Sequence, residues 1–210
     1  MPKIEVIEAI LESYIGEKLP VQDLETVFPS AKAELDGYDF KEGVLKVELN
    51  DTNRPDLWST AGLGRQLKTY RGGKRPEYGF FSTGKESKDA GDRRVVVDAG
   101  LKNIRPYITA FAVRGKPIDD ATLKDLIQTQ EKLCWNYGQK RKAVAMGVYR
   151  SDLIKYPVRY TDVDPDATRF VPLGMEEKLS LREICEKHPK GQEFGGIVSP
   201  FERFPFITDA

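Results

Sequence analysis

The chain has 210 residues, of which 40% are hydrophobic and 31% charged, so its composition predicts a soluble globular protein of one large or two small domains. Its 33 basic and 33 acidic residues cancel, which excludes wholesale attraction to nucleic acid or to a membrane and leaves such roles to a local basic patch. Its apolar runs are too short to span a bilayer, and its first residues do not resemble a signal peptide.

The first 75 residues predict a small domain of helices and strands. Six apolar residues recur at helical spacing within residues 4–15, so we expect a helix there that ends at Gly16. A second short helix is expected over 21–27. Apolar and polar side chains then alternate over 32–36 and 44–50, which predicts two strands joined by a turn.

A further helix is expected to begin near Asn53, which is a good N-cap, with Pro55 close to the first helical position. Gly62 and Gly64 fall inside this helix, where each costs roughly 1 kcal/mol relative to alanine. We therefore expect these glycines to allow close approach to another element.

Residues 76–91 lose this periodicity and gather Gly, Lys, Ser and Asp, which predicts a linker or exposed loop. They would separate an N-terminal α+β domain, residues 1–75, from a second domain, residues 92–210. The preceding YRGGKR, residues 70–75, could cradle a phosphate through backbone N–H groups, but a flexible linker is the favoured interpretation.

The second part predicts strands and helices separated by gaps of hairpin length, which indicates an α+β fold with a mixed sheet. One strand has two mostly apolar faces, so we expect it to be central and buried. In chain order the elements are VVVDAG, the central strand RPYITAFAVRG, a helix from Asp119 to Gly138, AVAMGVY, PVRYTDV, a helix capped by Ser180, and FPFITD.

Few residues offer catalytic or metal-binding chemistry. The sequence contains no GxxxxGK[ST], GxGxxG, CxxC or HExxH motif. The single histidine, His188, precedes a proline, and we expect it to be a cation at a helix C-terminus. Cys134 and Cys185 lie far apart and predict no disulfide framework or zinc site, which suits a reducing cytoplasm. We expect no metal site and no cofactor in this chain.

Two groups of carboxylates and one basic run remain. Asp119 and Asp120 open a helix and residues 162–167 form a turn, so neither group is expected to be catalytic. Lys140, Arg141 and Lys142 join a helix to a strand. On position alone such a run is most often a solvated turn, although it would be well placed to contact phosphates.

Several segments, in the right order and covering nearly the whole chain, resemble one family. NDTNRPDLWSTAGLGRQLKTY resembles the asparagine-arginine-proline-aspartate-leucine segment near the N-terminus of the phenylalanyl-tRNA synthetase β subunit. Four others are similar to the editing region of its archaeal/eukaryotic type: NIRPYITAFAVRG, LIQTQEKLCWNYGQKRKAVAMGVY, RFVPLGMEEKLSLREI and FPFITDA.

The resemblance implies an enzyme of two α and two β chains that joins phenylalanine to tRNA(Phe) using ATP and magnesium. It places the synthetic site on the α subunit and gives the β subunit a domain that hydrolyses tyrosine wrongly attached to this tRNA. The family continues after the FPFITDA-like strand with a segment that forms part of the editing pocket. We therefore expect an N-terminal fragment, truncated within the editing domain, that does not edit alone.

The resemblance also assigns site residues. If the last strand forms one wall of the pocket, Phe206 or Ile207 would pack against the tyrosyl ring, with core packing as the alternative. Lys140, Arg141 and Lys142 would contact tRNA phosphates. Catalytic residues are not assigned. Two other function classes stay open: a non-catalytic tRNA-binding or subunit-assembly module, and a stand-alone small-molecule hydrolase, which the near absence of histidine disfavours.

Overall fold

The structure, a computed structural model, describes residues 2–50, 53–75, 77–78, 91–115 and 117–210. Contacts between Cα atoms divide the chain into two compact units. Unit 1 contains residues 1–83 and 115–148, and unit 2 contains residues 84–114 and 149–210. Both units combine helices with strands, as the predicted α+β class requires. Over the described ranges we find no helix with the length and apolar character that crossing a membrane demands.

Unit 1 is built on a three-stranded antiparallel sheet. The strands are β1 (Lys3–Ile7), β2 (Ala33–Asp39) and β3 (Val44–Leu49), and β3 lies in the centre. Ile4 of β1 is opposite Val47 of β3. Apolar and polar side chains alternate along each strand, so one face of the sheet is buried and the other meets water.

Three helices contribute to the buried side of unit 1: α1 (Glu8–Ile15), α2 (Val21–Val27) and α3 (Thr60–Tyr70). Their apolar faces and the buried face of the sheet form one hydrophobic cluster, which includes Ile4, Val6, Leu11, Leu24, Phe28, Leu45, Val47, Trp58, Leu63 and Leu67. Burying each such side chain contributes on the order of 1.5–3 kcal/mol, so this cluster is the main source of the unit's stability.

The predicted helix over residues 4–15 is wrong in its first part. Residues 3–7 form β1, and only residues 8–15 are helical. Ile4 and Ile7 fit the helical period, but Ile4 and Val6 alternate with exposed Lys3 and Glu5 as in a strand, and pairing with β3 stabilises the extended form. The predicted end is confirmed, since Gly16 has φ 94° and its N–H donates to the Glu12 carbonyl at 2.7 Å.

The predicted start of α3 at Asn53 is also wrong. Residues 55–57 form a single 3-10 turn, and Ser59 is the N-cap, with its Oγ accepting the Gly62 N–H at 3.0 Å. The expected close approach of the glycines is confirmed. A Cβ at Gly62 would lie 1.6 Å from the Asp56 carbonyl oxygen, and one at Gly64 would lie 2.6 Å from the Cβ of Tyr14 on α1.

Unit 1 also contains α4 (Asp120–Lys132), which continues as a π-helical turn over Leu133–Tyr137. Asp119 caps α4 as predicted, accepting the Thr122 N–H at 2.8 Å. The Gln128 side chain accepts the Glu5 N–H at 2.7 Å and donates to the Glu5 carbonyl at 2.8 Å. A side-chain amide thus satisfies part of the open edge of β1.

The compact units divide the chain differently from the predicted domains. Residues 115–148 belong to unit 1, whereas the sequence interpretation placed them with residues 92–210. Contact of α4 with β1 accounts for this grouping. Most of the predicted linker 76–91 lies outside the described residues, and the boundaries at 75 and 92 stay a prediction.

Unit 2 is built on a mixed sheet of β4 (Val95–Val97), β5 (Val158–Val163) and β8 (Phe204–Thr208). The central strand β5 is parallel to β4 and antiparallel to β8. All three strands were predicted. Buried Tyr160 on β5 donates its hydroxyl to the Arg105 carbonyl at 2.8 Å, which fixes the chain after a 3-10 turn over Ala99–Asn103.

The rest of unit 2 contains two short strands, β6 (Arg169–Phe170) and β7 (Leu179–Ser180), and the helices α5 (Leu181–Lys187) and α6 (Pro189–Phe194). Ser180 caps α5 as predicted. His188 lies at the end of α5, as expected. Its Nδ1 lies 3.1 Å from the Lys190 N–H and its Nε2 lies 3.1 Å from the Leu173 carbonyl oxygen.

Two predicted strands are wrong. Residues 105–115 and 144–149 adopt no strand, and Tyr107, Phe111 and Val113 are exposed rather than buried. Apolar side chains on both faces indicate a central strand only where neighbouring strands supply hydrogen bonds on both edges. No described residue pairs with these segments, so their β-forming composition does not decide their conformation.

Candidate functional site

The predicted basic run lies in a tight turn that follows α4 and its π-helical end. The Lys140 N–H donates to the Trp135 carbonyl at 2.9 Å, and the Arg141 N–H donates to the Cys134 carbonyl at 2.9 Å. These bonds satisfy carbonyl groups that a helix end leaves unpaired. We call residues 138–142 the basic turn.

The backbone of the basic turn is strained. Gln139, Lys140 and Arg141 have φ values of 51°, 54° and 69°, so three consecutive non-glycine residues adopt the left-handed conformation. Each costs about 1–2 kcal/mol relative to a right-handed conformation. Strain of this kind persists only where surrounding bonds enforce it, and it clusters at functional sites. A π-helical turn, present here directly before the strained residues, is likewise frequent at functional sites.

Two further contacts hold the basic turn. Gly138 lies so close to the following segment that a Cβ there would be 2.2 Å from the Val144 carbonyl oxygen. The sulfur of buried Cys134 accepts the Met146 N–H at 3.1 Å. The turn therefore presents its cations from a fixed backbone, which lowers the entropy lost when a ligand binds.

An aromatic side chain accompanies the cations. The Lys140 Nζ lies 5.2 Å from the centre of the Trp135 ring, and this ring is 48% exposed. Lys140 and Lys142 are exposed and Arg141 is half-buried. A cation next to an exposed aromatic face is a common arrangement in single-stranded nucleic-acid binding. Sequence reasoning marked the cations but missed Trp135, although a tryptophan five residues before a basic run was a usable signal.

The predicted substrate residues lie on β8, in unit 2. Phe206 is opposite Thr161 and Ile207 is opposite Tyr160 on β5. Because successive side chains of a strand point to opposite faces, Phe206 and Ile207 cannot face one ligand together. Phe206 is half-buried, with its ring 5.9 Å from that of Phe170, while Ile207 is 53% exposed. Their contact with a tyrosyl ring stays a prediction.

The acidic residues of 162–167 form a turn, as expected. Asp164 accepts the N–H groups of Ala167 at 3.1 Å and Asp166 at 2.8 Å, and these bonds, the first most strongly, lower the pKa of its carboxyl below the ordinary value. Asp162 forms an ion pair with Arg203, and Asp166 forms one with Arg182. Among the described residues, no three His, Cys, Asp or Glu side chains are grouped so that they could hold a metal ion.

The described residues of each unit line a cavity. The unit 1 cavity, of about 450 Å³, is lined by Tyr14, Ala61, Arg65, Lys68, Lys74, Arg75 and Tyr78. The unit 2 cavity, of about 350 Å³, is lined by residues 96–99 and 159–161. Neither is lined by the basic run or by the predicted substrate residues of β8.

The YRGGKR segment lines the unit 1 cavity, but with side chains rather than with the backbone N–H groups considered from the sequence. The Gly72 N–H donates to the Thr69 carbonyl at 3.2 Å and the Gly73 N–H donates to the Lys68 carbonyl at 2.9 Å. Both N–H groups therefore bond to the end of α3 and do not point at a ligand. Its side chains Lys74 and Arg75 line the cavity instead.

Comparison with curated proteins gives consistent relatives. The chain is 47% identical over 210 residues to the phenylalanine–tRNA ligase β subunit of Borreliella burgdorferi strain ZS7, and the match covers all of this chain and 37% of the relative. It is 47% identical to the corresponding subunit of Borreliella afzelii and 45% identical to that of Borrelia turicatae. The chain thus spans little more than a third of the length of these relatives. No protein-family model matches it.

A solved structure agrees. The chain superposes with a TM-score of 0.87 and 36% identity on the crystal structure of an N-terminal fragment of the phenylalanyl-tRNA synthetase β subunit from Pyrococcus horikoshii, covering all of this chain and 59% of that one. Sequence and fold therefore indicate the same relationship along the whole length. The chain belongs to the phenylalanine–tRNA ligase β-subunit family and has the fold of an N-terminal fragment of that subunit.

Proposed function

We propose that this chain is the part of a phenylalanine–tRNA ligase β subunit that takes part in proofreading, by hydrolysis of tyrosine wrongly attached to tRNA(Phe). The observation that carries the proposal is the match of all 210 residues, in sequence and in fold, to part of the β subunit of this ligase. The aminoacylation itself, with its ATP and magnesium, belongs to the intact enzyme.

Proofreading answers a physical limit on selectivity. Tyrosine differs from phenylalanine by one hydroxyl, and an apolar pocket rejects such an analogue by only about 100-fold. A second site that hydrogen-bonds the phenol reverses the preference, because bound phenylalanine would leave buried polar groups unpaired at about 1–3 kcal/mol each. Hydrolysis then needs a positioned water and a donor for the oxyanion, because an aminoacyl ester is already activated.

Unit 2 offers one surface for the tyrosyl ring. Ile207 is the better candidate of the two β8 residues, since it is 53% exposed and a ring could reach it without disturbing the core. Phe206 already packs near Phe170, which favours its structural role. Ile207 would contribute apolar contact and no proton transfer.

The basic turn of unit 1 would bind the tRNA backbone. Lys140, Arg141 and Lys142 lie on a backbone whose hydrogen bonds and left-handed conformation fix it before the ligand arrives. Phosphate contacts of this kind position a nucleic acid without reading its sequence. The proposed partners are therefore tRNA(Phe) and, for the intact enzyme, the α subunit in a two-α two-β heterotetramer in the cytoplasm.

This chain is not proposed to hold the metal. Magnesium prefers carboxylate oxygens and phosphates, and the described residues contain no cluster of carboxylates suited to it. No step of the proposed hydrolysis by these residues is therefore assigned to magnesium or ATP.

The test is deacylation of Tyr-tRNA(Phe) by the intact heterotetramer carrying Ile207→Arg. An arginine at this exposed position should block the ring and lower the hydrolysis rate at least about tenfold, while phenylalanine charging is unchanged. Val171→Arg is the matched control, because Val171 is 52% exposed in the same unit. Equal rates for the two variants would contradict the role of Ile207, and absence of hydrolysis in the unsubstituted enzyme would contradict proofreading.

A second candidate function is a non-catalytic tRNA-binding or subunit-assembly module. It is favoured by the exposed apolar side chains of the segment 105–115, where Tyr107 is 91% exposed and Phe111 is 83% exposed. Such a patch is typical of surfaces that another polypeptide covers. Deletion of residues 105–115 that abolishes α-subunit association but preserves tRNA binding would support this role.

A further inference from the structure

The unit 1 cavity is a basic cleft that the proposed proofreading does not use. One wall is a single face of α3, formed by Ala61, Arg65 and Lys68, which follow each other at spacings of four and three residues. Tyr14 of α1 forms the facing wall. The close packing that Gly64 allows between α1 and α3 holds the two walls together.

The third side of the cleft is the chain that follows α3. Gly72 has φ 88°, and a Cβ at Gly73 would lie 2.6 Å from the Lys68 carbonyl oxygen, so both positions require glycine. This double-glycine turn directs Lys74, Arg75 and Tyr78 to the cleft. The last carbonyls of α3 already accept N–H groups from the turn, so they do not compete for the cations.

The residues that line the cleft carry only positive charge. Four of the seven lining residues are cations and none is a carboxylate. Arg65 pairs with Asp56 at 3.1 Å, but Asp56 is also bound through both oxygens by Arg54, so the three groups keep a net positive charge. No described carboxylate pairs with Lys68, Lys74 or Arg75.

Two tyrosines complete the lining. Tyr14 and Tyr78 are each 42% exposed, so their rings are accessible. Asp125, whose charge helps to raise the pKa of Tyr14 after burial does, accepts a hydrogen bond from the Thr60 hydroxyl. A cleft with several cations and two accessible aromatic rings combines the two features that bind single-stranded nucleic acid, which are attraction for phosphates and a surface for base stacking.

We propose that this cleft is a second RNA-binding site, which holds a phosphate of the tRNA backbone between Lys68, Lys74 and Arg75 and stacks an unpaired base on Tyr78. Its volume of about 450 Å³ lies in the range of small-ligand sites and suits about one nucleotide. Only the identity of the ligand rests on the proposed function, because tRNA is the RNA on which a phenylalanine–tRNA ligase acts. Binding here does not depend on the aminoacyl group.

The test is to measure the binding of fluorescently labelled tRNA(Phe) without an attached amino acid to the 210-residue chain. Fluorescence anisotropy is recorded between about 50 and 200 mM salt. For Lys74→Ala/Arg75→Ala we expect about tenfold weaker binding. The slope of log affinity against log salt should flatten by about 1.4, because each single-strand phosphate contact contributes about 0.7. For Tyr78→Leu we expect at least about fivefold weaker binding with an unchanged slope, since stacking carries no charge.

The matched control is Lys41→Ala/Lys46→Ala. It removes the same charge from two exposed residues of unit 1 that do not line the cleft. If the cleft and control variants weaken binding equally, attraction is diffuse and the proposal is wrong.

A second arm uses inorganic phosphate in place of RNA. If phosphate binds the cleft and Tyr78→Leu leaves RNA affinity unchanged, the site takes small anions and the RNA assignment is overturned. The tRNA used here carries no amino acid. If the intact enzyme failed to hydrolyse Tyr-tRNA(Phe), the proofreading proposal would be wrong, but the result of this binding experiment would stand.

Discussion

Lys140 and Trp135 are joined twice. The Lys140 N–H donates to the Trp135 carbonyl at 2.9 Å, and the Lys140 Nζ lies 5.2 Å from the centre of the Trp135 ring. The first contact fixes the backbone of the basic turn, and the second directs the charge over an exposed aromatic face. Lys140 therefore combines a strained backbone with an ammonium group next to an aromatic ring. Measuring both protein stability and tRNA binding for one variant separates the effects of the two.

We expect Lys140→Gly to raise stability and weaken tRNA binding. Glycine adopts φ 54° without steric cost, and removing this strain should stabilise unit 1 by up to about 1 kcal/mol after the entropy cost of glycine. Loss of the ammonium should flatten the salt dependence of tRNA binding by about 0.7. Urea denaturation measures the first effect and fluorescence anisotropy the second.

Lys32→Gly is the control for that variant. Lys32 is also left-handed, with φ 50°, and belongs to the same unit, so its replacement removes equal charge and similar strain. We expect it to match Lys140→Gly in stability and to leave the salt dependence unchanged. A fall in stability for Lys140→Gly alone would mean that the lysine side chain, rather than the left-handed backbone, dominates the free energy of unfolding.

Acrylamide quenching should report occupation of the basic turn. Trp135 is 48% exposed and the other tryptophan, Trp58, is buried, so quenching of the free chain comes mainly from Trp135. Bound tRNA should shield this ring and lower the quenching constant. The variant Trp135→Phe should abolish the change. Undiminished quenching at saturating tRNA would place the RNA elsewhere.

The two glycines of α3 should differ in their tolerance of alanine. At Gly62 the added methyl would meet the Asp56 backbone carbonyl oxygen at 1.6 Å, and at Gly64 it would meet the Cβ of Tyr14 at 2.6 Å, a smaller overlap that a shift of α1 could relieve. We expect Gly62→Ala to cost about 3 kcal/mol or more and Gly64→Ala about 1–3 kcal/mol. Thermal or urea unfolding gives both values.

Gly196→Ala is the reference for these substitutions, since a methyl there would meet nothing within 4 Å. It should change the stability little. A cost at Gly64 equal to that at Gly62 would show that α1 cannot shift away from α3.

Glu183 should contribute a pH-dependent part of the stability of unit 2. The Ser180 N–H donates to its carboxylate at 2.9 Å, and this bond, followed by that from Lys187, lowers the pKa of Glu183 to about 2. A lowered pKa in the folded state stabilises the protein above the ordinary value near 4.5, and this contribution is lost as the pH falls from there towards 2. Glu183→Gln should therefore be less stable than the parent near neutral pH and should lose less stability on acidification.

Urea midpoints at about pH 5 and about pH 3 separate this effect from loss of the cap. Ser180→Ala is the control, because it removes the Oγ that accepts the Glu183 N–H but keeps the Ser180 N–H. It should cost about 1 kcal/mol at both pH values. If Glu183→Gln loses as much stability as the parent between these two pH values, the Glu183 carboxylate is not the source of the pH dependence.

Local signals in the sequence predicted local structure well. Asp119 and Ser180 cap helices because their side-chain oxygens reach N–H groups only three residues away, which spacing alone reveals. Non-local pairing was harder. Residues 3–7 and 105–115 have compositions that suit more than one conformation, and only the presence of β3 beside the first, and no described strand beside the second, decides between them.

The candidate sites show the same division. The cations of the basic turn are contiguous in sequence and were predicted as a site, but their left-handed backbone depends on carbonyls of the preceding helix. That Phe206 and Ile207 face opposite ways follows from the strand period and could have been predicted. The basic cleft joins Tyr14 to Lys74 and Arg75, some 60 positions apart, and packing of α1 on α3 brings them together.

The two cysteines differ in their access to solvent, and each compact unit carries one: buried Cys134 in unit 1 and half-buried Cys185 in unit 2. Partial burial raises the pKa of the Cys185 thiol, which slows its alkylation but does not require unit 2 to unfold. Cys134 can be alkylated only when its surroundings loosen. The rate at which iodoacetamide modifies Cys134 therefore reports the opening of unit 1 without any introduced label.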